Sequence, residues 1–251
     1  IGGAVIRNWD GGAWGVQTMQ GCMQHSLNVC LTWVAIQLGV EDFYRYMQAF
    51  GFGHMTGVDL ADGASGRLKL PGDDDWFEME LGMNSFGQGV SVTPVQMLMA
   101  ISSVANLRGE MMMPHVVLST VSDNAQYSPQ PVLMGRPISA ETAQTLTNML
   151  AESLVNESSV ALVDGYHVAG KTGTAQLIVN GSYDNPLTNA SFVGWGPVDE
   201  PRFLIYVWLE HPESSPWGSV VAAPVFRDVF TQMAILADLP PDEIRWDLEN
   251  Q

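Results

Sequence analysis

The 251-residue sequence predicts an α+β fold, because the spacing of its apolar residues changes once along the chain. Up to about residue 155, apolar residues recur mainly at helical spacing. Beyond that point three β-rich segments follow one another, and an amphipathic segment comes last. We therefore expect a mainly helical part over residues 1–155, followed over residues 156–251 by antiparallel strands and a C-terminal helix.

Helices are expected over residues 18–38, 41–50, 93–106 and 140–154. The first has Thr18 as its N-cap and Gly39 as its stop, and an interruption within it is left open. The third opens with Thr93-Pro94-Val95-Gln96, a capping box with proline at the first helical position. These signals make the first part of the chain the helical part of the fold.

Strands are expected over residues 168–179, 190–198 and 202–209. Asn180-Gly181 and Asp199-Glu200-Pro201 supply turns between them, which predicts three consecutive antiparallel strands. The segment from Ala223 to Leu239 is amphipathic and is followed by Pro240-Pro241, so we expect it to be the last helix of the chain.

The charge balance is strongly acidic. The chain has 27 acidic and 10 basic residues, for a formal charge of -17, and only two of the basic residues are lysines, Lys69 and Lys171. A surface this negative repels a phosphate backbone. No nucleic-acid partner is therefore expected.

Neither a disulfide nor a cofactor is expected from the remaining ligand-type residues. In a continuous helix the Cα atoms of Cys22 and Cys30 would lie about 12 Å apart, too far for a bridge, so free buried thiols are predicted. The run Asp73-Asp74-Asp75 is interpreted as a solvated loop. The five histidines show no close ligand spacing, so no metal site is predicted.

The most specific local feature is Gly170-Lys171-Thr172-Gly173-Thr174, which has two incompatible interpretations. Together with Gly165 it fits the phosphate loop of a nucleotidase. A phosphate loop must open a long helix, whereas this lysine is followed by glycine, a β-rich run and Asn180-Gly181. The context favours a strand.

A strand bearing Lys-Thr-Gly beside a cleft is typical of the penicillin-recognising acyl transferases. Such a strand can pair its backbone with an extended peptide, and Gly173 leaves room for that approach. The ammonium of Lys171 and the hydroxyl of Thr174 offer charge and hydrogen bonds to a terminal carboxylate, and a lysine in a cleft can also relay protons.

An enzyme of this kind needs a second element, Ser-x-Asn, and Ser26-Leu27-Asn28 supplies it. In an uninterrupted helix, residues two apart point about 200° apart, so Ser26 and Asn28 face one cleft only if the helix breaks there. Without the lysine motif, Ser26 would be interpreted as a small residue on a packed helix face.

Several further segments occur together in one order: His25–Val29, Phe50–Gly53, Thr56–Leu60, Gly87–Gly89, Thr93–Gln96, Gly170–Gln176, Ala190–Pro197 and Val221–Phe226. Over essentially the whole chain they resemble the transpeptidase domain of the class B, monofunctional penicillin-binding proteins. The resemblance implies a penicillin-binding protein/serine β-lactamase-like fold, with a sheet that we expect to be incomplete. It also implies a peptidoglycan D,D-transpeptidase that is a penicillin target and acts on D-Ala-D-Ala stem peptides through a serine acyl-enzyme.

Site roles follow from the resemblance, position by position. Ser26 would relay a proton towards the leaving group, with electrostatic support from Lys171. Asn28 would hydrogen-bond the amide of the substrate. The strand residues that would bind the substrate carboxylate and backbone are Thr172, Gly173 and Thr174, and the amide of Thr174 would form half of the oxyanion hole.

The nucleophile of this family belongs to a Ser-x-x-Lys motif, which the chain lacks, since Gly66 and Val168 stand three residues before the two lysines. We therefore expect residues 1–251 to be the C-terminal portion of one transpeptidase domain, inactive alone. The family further implies an N-terminal membrane anchor absent from this chain and a position on the extracytoplasmic face of the bacterial cytoplasmic membrane. Expected partners are stem peptides, their lipid-linked precursor, β-lactams and a glycosyltransferase. A non-catalytic peptide-binding homologue is the remaining alternative.

Overall fold

The computed structural model describes residues 1–157, 159–177 and 187–249. The helices of this part are α1 (Met19–Gln24), α2 (Asn28–Leu38), α3 (Val40–Ala49), α4 (Glu78–Asn84), α5 (Pro94–Ala105), α6 (Ala140–Glu157), α7 (Gly218–Val221), α8 (Ala223–Leu236) and α9 (Asp242–Glu249). The strands are β1 (Met111–Met112), β2 (Thr120–Ser122), β3 (Ala125–Tyr127), β4 (Leu133–Gly135), β5 (Ala169–Gln176), β6 (Thr188–Gly196) and β7 (Phe203–Glu210). The predicted α+β class is confirmed.

The chain divides into two compact units. The first comprises Ile1–Ile6 and Leu31–Gln144, and the second comprises Arg7–Cys30 and Thr145–Gln251. These units do not meet at one boundary near residue 155, because the early segment Arg7–Cys30 folds together with the strands. The Ser-x-Asn and Lys-Thr-Gly motifs consequently belong to the same unit.

The second unit is built on an antiparallel sheet with the order β5-β6-β7, as predicted. The hydrophobic core lies between this sheet and α8, where the rings of Phe192 and Phe226 are fully buried at a centroid distance of 4.8 Å. Burying each ring contributes about 2–3 kcal/mol. A Cβ atom on Gly194 would lie 2.6 Å from the ring of Phe226, so this strand position is closed to larger residues. The predicted turn at Asn180-Gly181 lies outside the described residues.

One described helical segment, Gly218–Leu236, is long and apolar enough to cross a membrane by length and composition. It comprises α7 and α8. Its residues Ala223, Phe226 and Phe230 are fully buried in the core of the second unit. One face of α8 therefore packs against the hydrophobic core.

The predicted helix over residues 18–38 is broken, and this break overturns the prediction of free thiols. Thr18 caps α1 as expected, accepting a hydrogen bond from the Gly21 amide at 3.1 Å, but α1 ends before residue 25. The chain then reverses, so that Cys22 and Cys30 form a disulfide with their Cα atoms 5.9 Å apart. The distance of about 12 Å applied to a continuous helix, which does not exist here.

The first unit shows the predicted capping box at α5. Thr93 Oγ1 accepts from the Gln96 amide, and the Gln96 side chain accepts from the Thr93 amide. Gln96 is fully buried, and its Nε2 also donates to the carbonyls of His54 and Ser65 at 2.8 and 2.7 Å. This one residue therefore joins the start of α5 to two loop segments.

Several elements of the structure were not predicted from the sequence. The pairs β1–β4 and β2–β3 consist of strands of two or three residues, too short for an alternating pattern to register. The segment between α5 and α6 contains no helix, so the first part is less helical than expected. Helix α9 follows Pro240-Pro241, which was interpreted as a terminator, but proline is also tolerated where a helix begins.

Candidate active site

Strand β5 is an edge strand of the three-stranded sheet in the part of the chain that the structure describes. The amide of Leu177 donates to the carbonyl of Leu187 at 3.0 Å, in register with β5 and β6. Hydrogen-bonded pairs alternate along an antiparallel ladder, so the odd-numbered residues of β5 bond to β6. Thr172 and Thr174 therefore direct their backbone N–H and C=O groups away from β6. This is the orientation that a substrate-pairing strand and an oxyanion donor at Thr174 require.

Lys171 lies on this strand with its ammonium close to the exposed edge. Its Nζ donates to the carbonyl and to Oγ1 of Thr172 at 3.3 and 3.4 Å. Burial lowers the pKa of Lys171 to about 8, and the negative charge of Glu157 opposes that shift. The side chain is thus mostly a cation at neutral pH but is close to its titration range.

Thr174 contacts the segment that follows β7. The amide of Gly218 donates to Thr174 Oγ1 at 3.2 Å, which leaves the hydroxyl proton of this exposed threonine to be donated elsewhere. A Cβ atom at Gly173 would lie 2.5 Å from Ser191 Oγ on β6, an atom that rotation of the serine side chain can move. That this glycine leaves room for a substrate backbone stays a prediction.

Ser26 lies in the break between α1 and α2, with a φ of +52°. Its amide donates to the Met23 carbonyl and the amide of Leu27 donates to the Cys22 carbonyl, which is the Schellman pattern for a helix C-terminus. Leu27 is buried, with 2% of its surface exposed, whereas Ser26 is partly exposed. The break that a shared cleft for Ser26 and Asn28 requires is therefore present.

Asn28 begins α2 and is held by the preceding segment. Its Nδ2 donates to the carbonyl of Arg7 at 3.1 Å, which uses one of the two amide hydrogens. Asn8 Oδ1 accepts from the amide of Val29 at 3.1 Å and so caps the helix. The second amide hydrogen of Asn28 is the donor that the predicted substrate contact needs.

Two residues that were not predicted as site residues, His25 and Glu157, form an ion-pair contact beside the first motif. His25 Nδ1 lies 2.6 Å from Glu157 Oε1, and the charge of Glu157 acts on Lys171. Because His25 is the neighbour of Ser26 in the chain, the Glu157 carboxylate contacts the turn that carries Ser26. Nothing in the local spacing could identify this pair, because its members come from distant parts of the sequence.

The geometry contradicts the phosphate-loop interpretation. Gly170, Lys171 and Thr172 lie inside β5, so no helix N-terminus faces a phosphate at this point. Gly165 lies in a turn between Val163 and Tyr166. Within the described residues, no group of three His, Cys, Asp or Glu side chains is placed to hold a metal ion.

Comparison with known proteins matches this architecture to one family. A sequence model described as the penicillin binding protein transpeptidase domain matches residues 1–231. The chain belongs to this family.

The relatives of this transpeptidase domain are class B penicillin-binding proteins. Stage V sporulation protein D of Bacillus subtilis is 34% identical over 91% of the chain, and penicillin-binding protein PbpB of Mycolicibacterium smegmatis is 34% identical, also over 91%. The matches cover 36% and 37% of those proteins, so the chain spans about a third of the length of these curated relatives.

A solved structure agrees with the fold of the transpeptidase domain. Penicillin binding protein 3 of Mycobacterium tuberculosis, complexed with aztreonam, is 29% identical with a TM-score of 0.83. The match covers 96% of this chain and 56% of that one. The penicillin-binding protein transpeptidase fold predicted from the sequence is thereby confirmed.

Proposed function

We propose that this domain functions in peptidoglycan crosslinking as a D,D-transpeptidase. A serine attacks the D-Ala-D-Ala bond of a stem peptide, the terminal D-Ala leaves, and an amine of a second stem peptide then takes the acyl group. The open edge of β5 is the observation that carries this proposal, because it offers backbone groups to an extended peptide next to the Lys171 ammonium. Membership of the transpeptidase family supports it.

The chain's own residues would bind the substrate and move a proton. Ser26 relays the proton to the leaving amine, and the Lys171 cation stabilises the charge that develops during this transfer. Asn28 donates to the substrate amide. Thr172 and Thr174 bind the terminal carboxylate and backbone, and the outward amide of Thr174 donates to the oxyanion.

The nucleophile and its base would come from outside these 251 residues, since no Ser-x-x-Lys occurs among them. Residues 1–251 are then the C-terminal portion of one transpeptidase domain, inactive without the remainder. In the full-length protein this domain would lie on the extracytoplasmic face of the bacterial membrane, anchored by an N-terminal helix. Stem peptides, lipid-linked precursor, β-lactams and a glycosyltransferase would be its partners, and the aztreonam complex of the mycobacterial relative supports β-lactam binding.

A covalent fluorescent penicillin tests this proposal. The full-length protein should be labelled, and Ser26→Ala or Lys171→Ala should slow acylation by about 100-fold or more. Ser128→Ala, at an exposed serine of the other compact unit, should label like the wild type. Labelling of the 251-residue chain alone, at any serine, would contradict the placement of the nucleophile.

A non-catalytic peptide-binding homologue is the second candidate, and the absence of Ser-x-x-Lys favours it. The two candidates differ in one measurement. A full-length protein that binds a D-Ala-D-Ala peptide but is never labelled by penicillin and releases no D-Ala would be a binding module. Release of D-Ala with transfer to an amine acceptor would establish the enzyme.

A further inference from the structure

His25, the residue before Ser26, is held from three directions. Its carbonyl accepts from Trp9 Nε1 at 3.1 Å, and its ring stacks on Trp14 at a centroid distance of 4.3 Å. Its Nδ1 lies 2.6 Å from the carboxylate of Glu157. Because His25 is also the C-cap of α1, these contacts fix the backbone from which Ser26 projects.

Trp9 adds a second connection between the two motifs. Its ring meets that of Trp217 edge to face, at a centroid distance of 5.6 Å. Trp217 precedes Gly218, whose amide donates to Thr174. The turn that carries Ser26 is thus connected to β5 through the Trp9–Trp217 contact and the Gly218–Thr174 hydrogen bond.

Glu157 occupies a position that helix stability does not explain. It is the last residue of α6, where a carboxylate faces the unpaired carbonyls and the negative end of the helix dipole. Its side chain is 42% exposed, yet its carboxylate contacts His25 instead of remaining in solvent. Of the charged groups in the described part of the chain, Glu157 is the one whose charge acts appreciably on Lys171.

We propose that His25 and Glu157 are positioning residues for the reaction proposed above. The pair fixes the turn that carries Ser26, and the negative charge of the carboxylate favours the cationic form of Lys171. Neither residue touches the substrate, because each acts through its neighbour, Ser26 or Lys171. This inference rests on the proposed function for its catalytic consequence, but its electrostatic part can be measured without any turnover.

The electrostatic part is tested by NMR of the full-length protein labelled with ¹³C at lysine Cε, with Lys171→Arg used to assign the signal. In the wild type the Lys171 signal should titrate with a pKa of about 8. Removing the nearby negative charge by Glu157→Gln should lower this pKa by about half a unit or more. Glu157→Asp, which keeps the charge, should restore most of the shift. Glu152→Gln, at an exposed glutamate of the same helix, should leave the pKa unchanged.

The positioning part is tested by the rate of penicillin acylation as a function of pH. In Glu157→Gln, the fall of the acylation rate at alkaline pH should move to lower pH by the same amount as the NMR pKa of Lys171. His25→Gln should slow acylation about 10-fold or more at every pH. At pH values below the alkaline fall of the rate, where the effect of Glu157 on Lys171 does not enter, the double variant should lose no more rate than the worse single variant, because the two residues position Ser26 as one unit.

The outcomes separate the two proposals. A wild type that is never acylated would contradict the proposed function, while the NMR titration would still test the action of Glu157 on Lys171. A wild type that is acylated, with Glu157→Gln matching it in both the lysine titration and the rate profile, would overturn the positioning pair. Additive losses in the double variant below the alkaline fall of the rate would also contradict it.

Discussion

Ser26 has a left-handed backbone conformation that glycine adopts freely, asparagine adopts sometimes and other residues rarely adopt. At a φ of +52° it occupies the C′ position of a Schellman motif, where glycine is the usual residue. A side chain in this region costs about 1 kcal/mol. Such conformations concentrate at functional sites, and the proposed relay supplies a reason for a hydroxyl here.

Stability and activity should therefore respond in opposite directions to Ser26→Gly. Glycine relieves the strain, so the free energy of unfolding should rise by about 0.5–1 kcal/mol. Penicillin acylation should fall as far as it does with Ser26→Ala, because the relay hydroxyl is gone. Urea denaturation and acylation rates of the full-length protein measure the two effects.

A matched control lies in the β2–β3 turn, where Asn124 has a φ of +64°. Asn124→Gly should keep or slightly raise stability and leave acylation unchanged, because this exposed turn belongs to the other compact unit. If Ser26→Gly kept wild-type acylation, Ser26 would not be the relay. A loss of stability in that variant would contradict the strain argument.

At the residue scale, motifs could be predicted and long-range contacts could not. Lys171, Thr172 and Thr174 belong to one short motif, so their strand could be predicted from local sequence, whereas the outward orientation of the two threonines follows from the register with β6. The His25–Glu157 contact joins α1 to the end of α6, and no local pattern contains it. Gly173 could be assigned to the site from its motif, but the nearness of Ser191 on β6 is visible only in the folded sheet.

At the element scale, the prediction of α1 and α2 as one helix failed because the stop signal is unusual. Helices commonly end at glycine, and here Ser26 takes that position. Elements with common sequence signals were predicted correctly: the structure shows the capping box at Thr93 and the strands β5 to β7 where they were expected. The error at Ser26 also led to the wrong prediction for the two cysteines.

The disulfide closes a short ring around the Ser26 turn, so its removal should destabilise the second unit. By the chain-entropy estimate, a ring of this size contributes about 2.5 kcal/mol. Replacing both cysteines, as Cys22→Ala with Cys30→Ala, should lower the free energy of unfolding of the full-length protein by about that amount. It should also slow acylation, because the turn that positions Ser26 is released.

Reductant provides the control for this prediction. Dithiothreitol should lower the urea midpoint of the wild type towards that of the double variant. Its effect on the urea midpoint should be larger in the wild type than in the double variant, because Cys22 and Cys30 are the two cysteines of the 251 residues. A wild type with equal stability in oxidising and reducing buffer would contradict a stabilising bridge.

At the scale of the whole molecule, the division into units escaped sequence analysis. The spacing of apolar residues changes near residue 155, but the early segment Arg7–Cys30 folds with the second compact unit. The spacing contains no signal for this assignment. Contacts between distant parts of the chain place this segment in the second unit. For example, Gln20 Nε2 donates to the carbonyl of Met149 at 2.9 Å. Periodicity reports which face of an element is apolar, not which element covers it.

The scarcity of cations makes one arginine important to the second unit. In a chain of formal charge -17, Arg245 is the one buried arginine among the residues that the structure describes, with 7% of its surface exposed. It donates to Asp199 and Asp242 at 2.7 Å each, while Asp242 Oδ2 accepts from the amide of His167 at 2.6 Å. Helix α9 is thereby fastened both to the β6–β7 turn and to the segment that leads into β5.

Arg245→Ala should therefore cost far more than other arginine replacements. It leaves the buried carboxylate of Asp242 unpaired, so the free energy of unfolding at pH 7 should fall by about 3 kcal/mol or more. Arg227→Ala, which removes an exposed pair with Asp228, should cost less than about 0.5 kcal/mol.

The stability provided by Arg245 should also depend on pH. Partial burial would raise the pKa of Asp199, but hydrogen bonds from Arg245 and Trp246 outweigh the effect of burial and lower the pKa. The stability that the Arg245–Asp199 pair provides is thus present above about pH 4 and is lost as pH falls through that lowered pKa, so the difference in urea stability between wild type and variant should narrow in acid. A gap independent of pH would contradict the ionic origin of the effect.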